Sequence, residues 1–179
     1  MTTKKEVGVT AGTPTPKVLP KNYSYIGLDT ATVMGVAVWC PDTHIATVVQ
    51  NKGTPVEQLF FINQYVFGYL EDGADNEFVM EKQHYFRNAD TIRSLMERYG
   101  FLKWTLQSIG FTVNEISPDI ARKFLGTKEK EDTFTLFTKY FTGSMMTNNH
   151  SDALAVAIYQ STLDGYKFNI NRLKIVGKD

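Results

Sequence analysis

Three acidic residues stand where a folded chain would bring carboxylates together. Asp29 ends one β-rich run, YSYIGLD, and Glu81 ends another, EFVME. Asp152 stands near the start of an apolar helix predicted for NNHSDALAVAIYQ. In an open α/β sheet, ligand sites gather beyond the strand ends, so we expect these three side chains to converge.

Converging carboxylates indicate a metal centre. They repel each other and are costly to remove from water unless cations neutralise them. Oxygen ligands of this type suit Mg²⁺ or Mn²⁺. Two such ions about 3.5–4 Å apart can activate a water and stabilise the leaving oxygen in phosphodiester cleavage. The acids therefore predict a divalent-metal site, with two ions expected.

Each acid also has a purely structural interpretation. Asp29 precedes Thr-Ala-Thr and can initiate a turn, and Glu81 can be a solvated strand end. Asn149 is a good N-cap, and Asp152 follows it by three residues, where an acid helps to cap the amides and favours the helix dipole. The local sequence leaves both interpretations open for all three acids.

The elements that must position these acids alternate in a pattern typical of an α/β domain. Five strands are predicted, at residues 23–29, 33–40, 44–50, 77–81 and 111–116. Three precede the first helix, and the last two alternate with helices. This order predicts an α/β fold with a mixed five-stranded sheet flanked by helices.

The predicted helices carry their own start and stop signals. Thr54-Pro55-Val56-Glu57 resembles a capping box with proline at the first helical position. The longest helix, 88–110, has an apolar stripe that could serve core and subunit interface: Ile92, Leu95, Met96, Tyr99, Leu102, Leu106 and Ile109. Further helices are predicted from Ser117 to Gly126, around 132–141 and from 149 onward.

Composition limits the class of protein. A chain of 179 residues with 42% hydrophobic residues suits one domain, 23–179, preceded by a flexible basic arm, 1–22. The net charge of zero argues against a simple electrostatic DNA binder. Cys40 is the only cysteine, so neither disulfides nor a thiolate metal site are expected. No run predicts a membrane span or secretion, so an intracellular protein is expected, in the cytoplasm or nucleoid.

Four segments in order resemble the RuvC family of Holliday-junction resolvases, in the RNase H-like (retroviral integrase) superfamily. They are YIGLDTATVMGVAV, FVMEKQHYFRNADTIRSLMERYG, SPDIARKFLGTKEKED and NNHSDALAVAIYQ. The resemblance extends over residues 24–160 and is patchy between the four segments. The second segment is the most specific. A diverged or phage-type member would fit this pattern, with the host cytoplasm as its location.

The resemblance implies an RNase H-like fold and a homodimeric, Mg²⁺-dependent endonuclease that nicks four-way DNA junctions. Asp29, Glu81 and Asp152 match the family's metal-binding acids. The family's fourth position, three residues before the last acid, holds Asp or His, whereas this chain has Asn149 with His150 beside it. Asn149 would be a weak, uncharged ligand, or His150 takes the role as ligand or base.

Basic and aromatic residues near these motifs are candidates for DNA contacts. The family keeps a lysine near the scissile phosphate, and Lys128 and Lys130 both fit, although a solvated loop is an equal alternative. Arg122 and Lys123 precede that loop as phosphate-binding candidates. The remaining candidates follow Glu81 and would stack on bases or bind phosphate, unless they pack under the loop: Tyr85, Phe86 and Arg87.

Two other functions remain open at this stage. A diverged member could be a less selective endonuclease of branched or flap DNA. The amide at position 149 also fits a junction-binding protein whose catalysis is weak or lost.

Overall fold

The computed structural model describes residues 23–66, 76–83 and 89–177. The predicted basic arm, 1–22, lies outside the described residues. Among the helices that are described, none combines the length and the apolar character that crossing a membrane requires.

One mixed sheet forms the centre of the molecule. Its strands are β1 (Ser24–Asp29), β2 (Val33–Cys40), β3 (Ile45–Lys52), β4 (Asn76–Glu81), β5 (Val113–Ile116), β6 (Phe141–Thr142) and β7 (Lys174–Gly177). Their order is β5-β4-β1-β2-β3-β7-β6. The first three strands form an antiparallel meander, and every other neighbouring pair is parallel.

The predicted class, a mixed α/β sheet flanked by helices, is confirmed, but the predicted count of five strands is wrong. Seven strands occur in the described part of the chain. Of the two additional strands, β6 has two residues, too few to show a period-2 pattern in the sequence, and β7 has four, of which only one is buried. They pair outward from β3, which would otherwise be the exposed edge of the sheet.

In the part of the chain that the structure describes, five α-helices cover the two faces of the sheet: α1 (Pro55–Phe61), α2 (Ala89–Ser108), α3 (Pro118–Phe124), α4 (Lys130–Thr138) and α5 (Asn148–Leu163). α5 lies across β1 and β2, with α3 and α4 packed against it. Side chains of α2 pack on the opposite face, where Leu102 and Leu106 join Ile26 and Leu28 in a second core. The predicted start of α1 is confirmed, because the Thr54 and Glu57 side chains form a capping box.

The backbone of α5 approaches the sheet at two glycines. A Cβ atom on Gly27 would lie 1.8 Å from the carbonyl oxygen of Ala153, and one on Gly35 would lie 2.2 Å from that of Asn149. No side chain fits at either distance, since the obstacle is helix backbone. These two glycines therefore set how deeply the first half of α5 lies on β1 and β2.

Adding a methyl group at Gly27 should push α5 off the sheet. We expect Gly27→Ala to lower the free energy of unfolding by about 1–3 kcal/mol or more, as overpacked cores do. Chemical denaturation monitored by circular dichroism measures this change.

A matched control is available on α2, where nothing lies within 4 Å of a Cβ added at Gly100. Gly100→Ala should stabilise the protein by about 0.5–1 kcal/mol because alanine is the better helix former. Equal stability of the Gly27→Ala variant and wild type would contradict the close approach.

Candidate metal centre

Asp29 and Glu81 lie side by side in one row of residues across the sheet, and Asp152 lies above that row. In the strand register Asp29 faces Gly35 and Glu81 faces Ile116, and β1 and β4 run parallel, so Asp29 and Glu81 end neighbouring strands. α5 crosses above this row and adds Asp152. One carboxylate oxygen from each acid lies within 4.8 Å of the others, and no other such group of three acid, histidine or cysteine side chains occurs in the described residues.

Burial and mutual repulsion make this cluster electrostatically unfavourable without added positive charge. Asp29 and Asp152 are buried. Burial raises the pKa of Asp29 to about 6, with the Lys130 charge opposing and the Asp152 charge adding to the shift. Burial, followed by repulsion from Asp29 and Asp152, raises the pKa of Glu81 to about 8. Three buried oxygen donors of this kind fit a hard divalent cation.

Two basic side chains reach the acids from α3 and α4. The Nζ atom of Lys130 lies 2.5 Å from Oδ2 of Asp152 and 3.7 Å from Oδ2 of Asp29. Arg122 places Nη2 3.1 Å from Oδ1 of Asp152. Burial works to lower the pKa of Lys130, but its hydrogen bond to Asp152 and the three acidic charges outweigh burial and raise it. The ammonium group therefore stays charged.

The structure separates the two candidate lysines. Lys130 begins α4 and contacts the acids, whereas Lys128 is exposed and its backbone N–H donates to Asp132. Lys123 is exposed on α3 and Arg122 is turned inward. The other DNA-contact candidates, Tyr85, Phe86 and Arg87, lie outside the described residues.

Of the two interpretations of Asp152, the one in which it caps α5 is wrong. The N-cap is Thr147, not Asn149: the Thr147 hydroxyl accepts the His150 N–H, and the His150 ring Nδ1 accepts the Thr147 N–H. Asp152 lies further along the helix and faces the other acids. Histidine is an unusual partner in a capping box, so the sequence favoured the asparagine two residues later.

The two candidates for the fourth site position have other contacts. Asn149 donates from Nδ2 to the carbonyl oxygen of Val33 at 2.6 Å. His150 is buried in the cap and lies outside the three-acid group. Burial lowers the pKa of His150 to about 4, so the ring is neutral near pH 7.

Sequence reasoning missed two glutamines that contact the turn after Asp29. Gln58 of α1 donates to the carbonyl oxygen of Ala31 at 3.0 Å, and Gln83 donates to the Thr30 hydroxyl at 3.2 Å. The signal for Gln83 was its place in the segment FVMEKQHYFRNADTIRSLMERYG, and Gln58 gave none. A π-helical turn follows α1 at Ile62–Val66, and Val56 and Phe60 of α1 are exposed.

Fold and acid cluster together define a mixed α/β domain with a candidate metal centre at one end of its central strands. The fold resembles that of Thermus thermophilus RuvC in complex with a Holliday junction substrate, with a TM-score of 0.59 and 16% sequence identity over 78% of this chain and 92% of that chain. A second Thermus thermophilus RuvC structure gives a TM-score of 0.58 and 17% identity over 77% and 93%. No protein-family model and no curated protein matches the sequence.

The chain therefore has a RuvC-like fold, as its sequence motifs indicated. The low identity places it far from these two proteins in sequence. What the structural likeness shows is the fold.

Stability without divalent metal should fall as the pH rises. Asp29 and Glu81 hold protons in the folded state above their ordinary pKa values of 3.8 and 4.5. Their contribution is fully present below those values and is lost as the pH rises through about 6 and 8. We expect the thermal midpoint in EDTA to fall from about pH 5 to about pH 8, and Mg²⁺ to raise it most at the higher pH.

The variant Glu81→Gln should flatten this fall because it removes the most strongly shifted acid. Glu131→Gln, an exposed acid on α4, is the control and should follow wild type. A wild-type midpoint that climbs throughout this range in EDTA would contradict the burial of like charges described above.

Proposed function

We propose that this protein is a divalent-metal-dependent, structure-selective endonuclease that resolves four-way DNA junctions. The observation that carries the proposal is the cluster of Asp29, Glu81 and Asp152, each with a carboxylate oxygen within 4.8 Å of the others. The RuvC-like fold supports it, since one structure with that fold was solved with a Holliday junction substrate. A DNA substrate also favours an intracellular location.

The acids and the basic side chains divide the work of phosphodiester hydrolysis. A bound Mg²⁺ or Mn²⁺ pair would supply Lewis-acid activation of water and charge stabilisation at the phosphate. Asp29, Glu81 and Asp152 hold that charge in place, and the Asn149 amide oxygen is the proposed fourth ligand. Lys130 and Arg122 place positive charge beside the acids, where the phosphate oxygens become more negative in the transition state.

The remaining candidate residues are proposed to contact the DNA outside the metal centre. Lys123 is exposed on α3, next to Arg122, and is proposed to bind a phosphate of a junction arm. Tyr85 and Phe86 are proposed to stack on bases at the junction centre, with Arg87 on a neighbouring phosphate.

A second candidate function has one observation in its favour. The Asn149 amide already donates to Val33, and it carries no charge to bind a metal. A junction-binding protein with weak or lost catalysis would show this arrangement. Binding of a four-way junction without cleavage in either Mg²⁺ or Mn²⁺ would establish that alternative.

Removing one carboxylate charge should abolish nicking without abolishing DNA binding. We expect Asp29→Asn, Glu81→Gln and Asp152→Asn each to lower the nicking rate of a synthetic four-way junction by about 10²-fold or more. Gel shifts in Ca²⁺ check that binding persists. Three-way and flap substrates run in parallel, and equal cleavage of all of them would replace junction selectivity with relaxed branched-DNA cleavage.

Lys128, in the α3–α4 loop, and Lys130, at the start of α4, form a matched pair for the catalytic assignment. Lys130→Met should lower the nicking rate about as much as loss of an acid, because its ammonium group lies at the acids. Lys128→Met should leave the rate within a few-fold of wild type. The opposite pattern would move the catalytic role to Lys128.

Symmetric cleavage of a four-way junction requires two active sites, and hence a two-fold dimer. The predicted stripe of α2 splits in the structure: Tyr99, Leu102 and Leu106 are buried, whereas Met96 is 51% exposed. Trp104 of α2 is 69% exposed as well. We propose the exposed side of α2 as the dimer interface.

Sedimentation velocity tests that interface. Wild type should be a dimer, and Trp104→Glu should be a monomer that binds the junction more weakly. Leu163→Glu changes another exposed apolar residue, at the end of α5, and should leave the dimer intact. A monomeric wild type, or a dimeric Trp104→Glu variant, would contradict the assignment.

A further inference from the structure

The turn between β1 and β2 follows Asp29 directly and is held by side-chain amides from three separate elements. Gln83, just after β4, donates to the Thr30 hydroxyl at 3.2 Å. Gln58, in α1, donates from one nitrogen to the carbonyl oxygens of Ala31 at 3.0 Å and Thr32 at 3.4 Å.

The fourth contact comes from the other side of the sheet. Asn149, in the first turn of α5, donates to the carbonyl oxygen of Val33 at 2.6 Å. Four consecutive residues, beginning at the one after Asp29, thus accept a hydrogen bond from a carboxamide. We call the three donors, Gln58, Gln83 and Asn149, the amide clamp.

The burial of Gln58 runs against ordinary helix packing. It is the only fully buried residue of α1, while Val56 and Phe60 on the same helix are 50% and 64% exposed. Its Oε1 atom is buried and has no hydrogen-bond partner among the described residues. A buried polar group that is only half satisfied is costly, and such departures from packing rules concentrate at functional sites.

The clamp also connects the elements that supply the metal ligands. Gln83 lies two residues after Glu81, so its bond to Thr30 ties the end of β4 to the residue that follows Asp29. Asn149 lies one helical turn before Asp152, so its bond to Val33 ties α5 to the same turn. Each of the three acids therefore lies within three residues of the clamped segment or of a donor.

We propose that the amide clamp is the positioning device of the metal centre: Gln58, Gln83 and Asn149 fix the β1–β2 turn so that the Asp29 carboxylate is held ready to bind the cation. This inference rests on the proposed function of Asp29, Glu81 and Asp152 as metal ligands. Outer residues that orient metal ligands typically change affinity by about 10–100-fold when replaced.

The inference also explains why an amide stands at position 149. A carboxylate there has no N–H for the Val33 carbonyl and would repel it, whereas asparagine donates. Asn149→Asp consequently separates two roles. The variant keeps a ligand oxygen and adds charge but loses the N–H that donates to Val33, so we expect it to bind Mn²⁺ more weakly than wild type. Tighter binding would remove Asn149 from the clamp.

Mn²⁺ affinity, measured by isothermal titration calorimetry on the full chain, is the main readout. We expect Gln58→Met and Gln83→Met to bind Mn²⁺ about tenfold more weakly or worse. Ser161→Ala is the matched control, because it removes a buried hydrogen bond from Trp39, far along α5. This control should lower the thermal midpoint and leave Mn²⁺ affinity unchanged. If the glutamines had a merely structural role, Gln58→Met and Gln83→Met would show the same result as the control.

A conservative pair covers the possibility that a glutamine variant fails to fold. Thr30→Ser keeps the hydroxyl that Gln83 contacts and should bind Mn²⁺ like wild type, whereas Thr30→Val should match Gln83→Met. Wild-type Mn²⁺ affinity in Gln58→Met, Gln83→Met and Thr30→Val would overturn the clamp.

Nicking assays on the same proteins keep the two proposals apart. If wild type nicks the junction, and the clamp variants bind Mn²⁺ and nick the junction as Ser161→Ala does, the proposed clamp is wrong and the proposed nuclease function stands. If wild type nicks no branched DNA but the clamp variants lose Mn²⁺ affinity, the clamp stands and the proposed nuclease function is wrong.

Discussion

The backbone of α5 lies against β1 and β2 at Gly27 and Gly35, with no room for a side chain at either position. This contact puts Asp152 above the row that contains Asp29 and Glu81, which neighbouring strands already bring together. It also brings Asn149 within hydrogen-bond distance of the turn after Asp29. The geometry of the candidate centre therefore depends on two residues that carry no functional group.

The same contact creates an electrostatic problem that the chain solves only in part. Burial is the largest cause of the raised pKa values of Asp29 and Glu81, and repulsion between the clustered acids adds to it. Arg122 of α3 and Lys130 of α4 partly compensate the negative charge of the acids, because both side chains contact Asp152. A site that keeps unfavourable charge in the folded state gives up stability for cation binding, which is typical of functional sites.

Local sequence patterns predicted most of the helices and strands but only some of the contacts that their side chains make. The capping box at Thr54 and the acids at two strand ends follow from spacing and residue type, and both are where the sequence placed them. The sequence did not predict β6 or β7, because β6 has only two residues and β7 buries only one of its four, so neither shows an alternating apolar pattern. The α5 cap was misassigned because a threonine–histidine pair replaced the expected asparagine.

Long-range hydrogen bonds were beyond sequence reasoning for a different reason. Gln58 and Ala31 are separated by 27 residues, and nothing in either local pattern specifies that they meet. The choice between Lys128 and Lys130 was open for the same reason, since only the packing of α4 against α5 decides which lysine faces the acids. Tertiary packing, not propensity, assigns these roles.

The central claim is that Asp29, Glu81 and Asp152 jointly bind a divalent cation. Anomalous X-ray diffraction from crystals soaked in Mn²⁺ tests it most directly. We predict an anomalous peak between the three carboxylates, with the Lys130 ammonium displaced from Asp152. Crystals that show Lys130 still bound to Asp152, with no Mn²⁺ between the acids, would contradict the account.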